Sequence, residues 1–187
     1  LFILSDSPPE KDVQWSEEGI SASYKFMQKL WGLNNKIIEE INKNHSQDNN
    51  NELKIFTNKF IKKITDNLDN FSYNIIIASL HEMYSFLVKN IDKGYNQNTI
   101  RENYQKILTI MMPIIPHFSS ECLEIMGFKN YIWPEYNKKL ISEDKVNFVI
   151  QINGKKRGLI NLNKNKSKEE VLDTVKKEEN LNKYLKD

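Results

Sequence analysis

The sequence predicts a mainly α fold: an antiparallel helix bundle followed by a small α+β appendage, a β-hairpin and a helix. Three observations predict it. Apolar residues recur at helical spacing in four successive segments between about 17 and 111. Short polar breaks separate those segments, which makes sequential helices antiparallel neighbours. After Gly127 the pattern changes, and an apolar alternation (Val146, Phe148, Ile150, Ile152) runs straight into Asn153-Gly154, the strongest short hairpin signal. With 187 residues, 39% hydrophobic and 28% charged, the chain is long enough to bury a core and too apolar to stay disordered.

Residues 1–16 read as an extended leading segment, because Pro8-Pro9 bars a helix there. Ser16-Glu17-Glu18 looks like an N-cap with acids in the first turn. The helix behind it, about 17–44, places Ile20, Tyr24, Met27, Leu30/Trp31, Ile37/Ile38 and Ile41 at mostly helical spacing. A polar loop from Asn44 to Asn51 includes His45. A second helix over about 52–68 carries Leu53, Phe56, Phe60, Ile64 and Leu68. Asp69-Asn70-Phe71-Ser72 breaks it. The third helix has the clearest stripe, with Ile76, Leu80, Met83, Tyr84, Leu87, Val88 and Ile91, and Gly94 ends it. The fourth carries Ile100, Tyr104, Ile107, Leu108 and Met111. Pro116 suits the first turn of a fifth, short helix ending near Gly127. No heptad holds through the loops, so the bundle is not a coiled coil.

The expected domains are the bundle over 17–134, a polar linker over 135–145, and a small hairpin-helix domain over 146–187 that stops where another strand would be useful. The return strand is about 155–162. A plain two-residue turn pairs Ile150 with Arg157 and leaves Ile160 and Leu162 on the opposite face. A bulge near Gly158 would bring them back, and the sequence leaves both registers open. Ser167-Lys168-Glu169-Glu170 reads as a capping box ahead of Val171, Leu172 and Val175.

Several functions are disfavoured. No apolar run approaches the roughly 18 residues of a membrane span, and the first residues lack the basic lead of a secretory signal. A protein that does not engage membranes, in a reducing cytoplasmic compartment, is expected. One cysteine, Cys122, excludes an internal disulfide and a cysteine-based zinc site, and its apolar neighbours suggest a buried small side chain. His45, His81 and His117 lack partners at metal-ligand spacing. Glu39-Glu40 and Glu169-Glu170 read as solvated helix faces. No glycine-rich phosphate loop is present. Lys164-Asn165-Lys166-Ser167-Lys168 has the wrong order for a K-M-S-K-S signature, and Ser167 is already explained as a cap. No catalytic, cofactor-binding or metal-binding residue is assigned.

Charge is more informative. Residues 1–144 hold 16 basic and 19 acidic side chains, whereas 145–187 hold 11 basic and 6 acidic, so the tail carries a net +5. Asn, Lys and Ile are all abundant, which AT-rich codon usage would also produce, so a single lysine argues little. Lys155, Lys156 and Arg157, however, directly follow a tight hairpin tip, where cations can reach a phosphate backbone and Arg adds a planar fork.

These residues also carry a resemblance. Ser7-Pro8-Pro9-Glu10, Asp12, Trp15-Ser16 and Phe26-Met27-Gln28-Lys29-Leu30-Trp31 resemble the region following the catalytic domain of class I aminoacyl-tRNA synthetases. Pro113 to Glu121 resembles the P-x-x-P-H-x-x-E segment of their helical anticodon-binding domain, with Trp133-Pro134 downstream. Val149-Ile150-Gln151-Ile152-Asn153-Gly154-Lys155-Lys156-Arg157-Gly158 resembles the start of the small C-terminal domain of bacterial-type leucyl-tRNA synthetases. The resemblance covers essentially the whole chain. It implies the C-terminal part of a monomeric enzyme that uses ATP with Mg to attach leucine to tRNA-Leu. The ATP and editing machinery would lie on the catalytic portion of the same polypeptide. It implies tRNA positioning through phosphate and shape contacts, without dependence on anticodon bases. Lys155, Lys156 and Arg157 are the expected phosphate contacts, and Lys25, Lys29 and Lys36, flanking the stripe of the first helix, are further candidates. The equivalent region of a valyl or isoleucyl enzyme, or a free-standing helical module with a basic hairpin, stays open.

Overall fold

The computed structural model describes residues 1–6, 10–43, 51–141, 145–152, 154–163 and 166–178. The loop read over 44–51, apart from Asn51, lies outside them, as do His45, Pro8-Pro9 and Asn153. The chain divides into two compact units, Leu1–Ile141 and Ser142–Asp187.

The first unit is an antiparallel helix bundle. Its elements are α1 (Phe2–Asp6), α2 (Glu17–Asn42), α3 (Glu52–Asp69), α4 (Tyr73–Asn90), α5 (Gln97–Met111), α6 (Pro116–Ile125) and the single turn α7 (Lys138–Ile141). α2 and α3 each pack against both α4 and α5, so all four long helices share one core. Ile37, Ile76, Leu80, Ile107, Leu108 and Leu123 are fully enclosed in it.

Local chemistry explains the boundaries. Ser16 caps α2, its hydroxyl accepting from the Gly19 N–H at 3.1 Å, with Glu17 and Glu18 in the first turn. Pro116 occupies the first turn of α6. That helix ends in a left-handed cap at Gly127, φ 79°, where the Phe128 N–H reaches the Leu123 carbonyl at 2.9 Å. Within the core the Tyr104 hydroxyl donates to Asn34 Oδ1 at 3.1 Å, joining α5 to α2. Burial first, and Cys122 second, raise the Tyr104 pKa well above the phenolic range.

Three expectations need correction. The leading segment is not extended throughout: α1 forms at Phe2–Asp6, with the Ser5 hydroxyl donating to the Phe2 carbonyl at 2.7 Å. Proline restricts its own position and the residue before it, and α1 ends ahead of that residue. Packing supplies the rest, since Leu1 and Leu4 pack on the core and the Phe2 ring lies where a Cβ on Gly19 would clash. The stretch read as linker likewise contains α7, which packs on α3. There the Asn137 N–H donates to Asn58 Oδ1 at 2.6 Å and the Asn137 Oδ1 accepts from Lys139 N–H at 3.0 Å.

The third correction concerns the rotation of α2. Its buried stripe is Phe26, Leu30, Leu33, Ile37 and Ile41. Tyr24 and Trp31, read as stripe residues, are 65% and 41% exposed. Val88, read into the stripe of α4, is exposed as well.

The second unit contains β1 (Lys145–Ile152), β2 (Lys155–Asn163) and α8 (Lys168–Lys177). The strands pair antiparallel, with Ile152 opposite Lys155 and Gln151 opposite Lys156. The register then shifts, so that Ile150 faces Gly158 and Phe148 faces Ile160. The plain-turn pairing of Ile150 with Arg157 is therefore not formed: Arg157 is the extra residue of a bulge. Ile160 and Val175 form the buried centre of this unit, with Ile150, Leu162 and Val171 packed around them.

The rotation of α2 has a stability consequence. Replacing the fully buried Leu30 of α2 by Ala should cost about 2–5 kcal/mol. Tyr24→Ala should stay within about 0.5 kcal/mol of the parent. Urea unfolding followed by helical circular dichroism measures both; a large cost at Tyr24 would mean that α2 is turned the other way.

Candidate nucleic-acid interface

The hairpin tip presents the densest cations of the described second unit. Gly154, at φ 74°, supplies the left-handed residue that reverses the chain, and β2 starts directly after it. Lys155, Lys156 and Arg157 are all exposed. Successive strand residues alternate faces, so Lys155 and Lys156 lie on opposite faces of the ribbon. Lys156 shares its face with Gln151, while the bulge carries Arg157. The three cations form a rim around the tip rather than a pad on one face. Val149 and Leu159, directly paired, are 51% and 57% exposed on the Lys156 face.

The hairpin is backed by α8. Ser167 and Glu170 complete a reciprocal capping box: the Ser167 N–H donates to the Glu170 carboxylate at 2.8 Å, and the Ser167 hydroxyl accepts from the Glu170 N–H at 3.3 Å. Accepting from the Ser167 backbone holds the Glu170 carboxyl below the usual carboxylate range.

In the first unit, Lys25, Lys29 and Lys36 lie at spacings of four and seven residues, on one stripe of α2 beside the buried one. Lys25 and Lys29 are exposed. Lys36 is committed: its ammonium donates to Asp92 Oδ2 at 2.8 Å, in the turn that follows α4. The structure therefore keeps Lys25 and Lys29 facing solvent and ties Lys36 into a surface ion pair. His81 stacks on Phe26 with ring centroids 3.8 Å apart. Its pKa is lowered, chiefly by burial and then by the charge of Lys29.

Among the described residues, no group of three or more His, Cys, Asp or Glu side chains is placed to hold a metal ion. Cys122 is buried, and burial followed by Glu121 pushes its thiol up to about 12, so it stays protonated and behaves as a small apolar side chain. A cleft of about 430 Å³ between α1, α2 and α4 is lined by Phe2, Gln14, Ser16, Phe26 and His81 among others. No helix among the described residues is long and apolar enough to cross a membrane.

Sequence reasoning missed the outward aromatics Tyr24 and Trp31. The signal that finds them is the tighter stripe Phe26-Leu30-Leu33-Ile37-Ile41, which leaves both on the far side of the helix.

Comparison with known proteins agrees with this architecture. The family model "Anticodon-binding domain of tRNA ligase" matches residues 50–172. The chain thus belongs to the family of anticodon-binding domains of tRNA ligases. Among similar relatives, the leucine–tRNA ligase of Fusobacterium nucleatum subsp. nucleatum is 31% identical over 99% of this chain and 23% of its own length. That of Fervidobacterium nodosum is 32% identical over 99% of this chain and 24% of its own length. The chain therefore spans about a quarter of the length of the curated relatives it matches. A solved structure, the agnB2 LeuRS of Agrobacterium radiobacter K84 in ternary complex with tRNA and LeuAMS, superposes with a TM-score of 0.80. It covers 100% of this chain and 25% of that one at 18% identity, a likeness of fold.

The capping box yields a pH prediction. Because the folded-state pKa of Glu170 is depressed, its stabilisation of α8 is complete above the ordinary carboxylate pKa. It is lost as the pH falls through the depressed value. Acidification should loosen the start of α8, and Glu170→Gln should remove that dependence. The Ser167 amide resonance, followed by NMR through the titration, reports both.

Proposed function

We propose that this chain is the tRNA-binding C-terminal region of a leucine–tRNA ligase, a part that positions tRNA-Leu and does not itself activate leucine. The observation that carries the proposal is the end-to-end match to leucine–tRNA ligases, 99% of the chain at 31% and 32% identity. It runs through both units, and it favours leucine over the valine and isoleucine enzymes.

The physical role follows from the surfaces. Lys155, Lys156 and Arg157 neutralise phosphates at the hairpin tip and release counterions, an interaction that is indifferent to sequence and weakened by salt. Lys25 and Lys29 add cations on α2. Such contacts fix register and orientation. In the complete ligase they hold the tRNA body so that its acceptor end meets the reaction centre, converting an encounter into an oriented, effectively intramolecular step. ATP with Mg would be bound by the catalytic portion of the same polypeptide, where the leucyl adenylate forms. The working protein would be a cytoplasmic monomer.

Simultaneous Lys155→Glu, Lys156→Glu and Arg157→Glu in the chain should weaken tRNA-Leu binding. The slope of log affinity against log salt should fall by about one per cation lost. Filter binding at several salt concentrations tests this; unchanged affinity at low salt removes the assignment. The chain alone should support no leucine-dependent pyrophosphate exchange, and detectable exchange would place catalysis within it.

A further inference from the structure

The two ends of the bundle differ in kind. α2 and α4 begin at the same end, since Ser16, Gly19 and Ser23 at the start of the one line the α1 cleft together with Ile77 and His81 of the other. The opposite end is closed by ion pairs: Lys43 to Glu40 at 2.5 Å, Lys36 to Asp92 at 2.8 Å and Lys93 to Glu52 at 2.8 Å. The starting end instead exposes Ile3, Trp15, Phe71 and Ile75, by 61%, 76%, 60% and 44%. Phe71 stands there against its backbone preference. The α3–α4 turn closes as a Schellman motif, the Ser72 N–H donating to the Asn67 carbonyl at 2.9 Å and the Phe71 N–H to the Leu68 carbonyl at 3.1 Å. Phe71 fills the left-handed position of that motif at φ 53°, the one non-glycine residue of positive φ among the described residues. Glycine is the ordinary occupant, because a Cβ is strained there. The fold recovers little from the ring, which meets Tyr73 edge-on with centroids 6.2 Å apart and is more than half exposed.

An exposed aromatic ring kept where glycine fits better points to a contact outside the bundle. Charge narrows the partner. Glu10, Asp12, Glu17, Glu18 and Asp69, with Lys11 among them, flank these apolar residues in the sequence, so a nucleic acid or an anionic membrane is repelled and a protein surface is not. In the leucine–tRNA ligases it matches, this region is about a quarter of the polypeptide, and the larger part lies outside it. α1, the first element, packs against α2 and α4 at this same end, so chain joined ahead of it arrives here. We infer that Phe71, together with Ile75, Ile3 and Trp15, forms the seat on which the catalytic portion of the same ligase polypeptide packs, with Phe71 as its anchor. The inference rests on the proposed ligase reading. It gives the bundle a second duty, carrying the position of the bound tRNA rigidly to the reaction centre.

One substitution should act oppositely in the part and in the whole. In this chain Phe71→Gly relieves the left-handed strain and should melt at or above the parent. In the complete ligase the same change should lower kcat/KM for charging tRNA-Leu about tenfold and split a calorimetric transition that the two portions share. Leucine-dependent pyrophosphate exchange should stay at the parental rate, and Phe71→Leu should keep most of the charging. Parental charging with an unsplit transition in the complete ligase overturns the anchor. So does a Phe71→Gly chain that melts below the parent, which assigns the ring to the fold. A concentration-dependent dimer of the chain that Phe71→Gly abolishes overturns it too, by giving this end to a second copy. If the anchor fails while the chain binds a tRNA-Leu transcript at low salt, the tRNA role stands; if the chain binds none, both fail.

Discussion

Everything on the surface of the bundle follows from how one helix is turned. Phe26, Leu30, Leu33, Ile37 and Ile41 are buried where α2 meets α4 and α5. Each such side chain contributes about 1.5–3 kcal/mol on burial. Five on one stripe leave little freedom for a helix to rotate. Once that stripe faces inward, the rest of α2 has no choice of direction. Asn34 meets the Tyr104 hydroxyl inside, and Glu40, buried on the same helix, accepts from Lys43 at 2.5 Å. Lys36 reaches Asp92, Trp31 comes against Phe118, and Tyr24, Lys25, Gln28 and Lys29 are left to solvent. The inward packing composes the outward chemistry.

The hairpin obeys the same logic with a different period. A strand has two faces, so a slip of one residue exchanges them completely. Phe148 and Ile150 share a face with Ile160 and Leu162 only because one extra residue, Arg157, is accommodated between Lys156 and Gly158. Burial of Ile160 against Val175 selects that arrangement over the plain ladder. The bulge therefore lies among the cations, and the core of the small unit dictates where they stand. Lys155 and Lys156 diverge to the two faces, which suits a tip inserted against a phosphate-lined surface better than a flat pad laid upon one.

Some of this was readable from residues and some was not, for identifiable reasons. Ile76, Leu80, Met83 and Leu87 announce α4 because strong apolar residues recur there at unbroken helical spacing, and all are buried. Pro116 and Gly127 mark α6 because their backbone preferences are intrinsic. The rotation of α2 was misread because Tyr24 and Trp31 count as apolar in any pattern, although their rings are amphipathic and tolerate water. Polar residues in the core compound this, since Asn34 and Glu40 are buried through partners that no periodicity displays. α1 and α7 are products of tertiary packing, one through Phe2 over Gly19 and the other through Asn58 to Asn137. Hairpin rules fixed the turn but not the bulge, because only the burial of Ile160 decides between registers. At the candidate interface, the hairpin cations were visible from spacing. The commitment of Lys36 to Asp92 was not, since its partner lies 56 residues away.

Averages conceal the surface that matters. Residues 1–144 carry more acids than bases, 19 against 16, and a charge count alone assigns nucleic-acid binding to the tail. Screening limits exposed charges to neighbours within about 8 Å at physiological salt, so a phosphate beside α2 responds to the acid-free run between Glu18 and Glu39 and not to distant glutamates. A modestly acidic region can then present a locally cationic face.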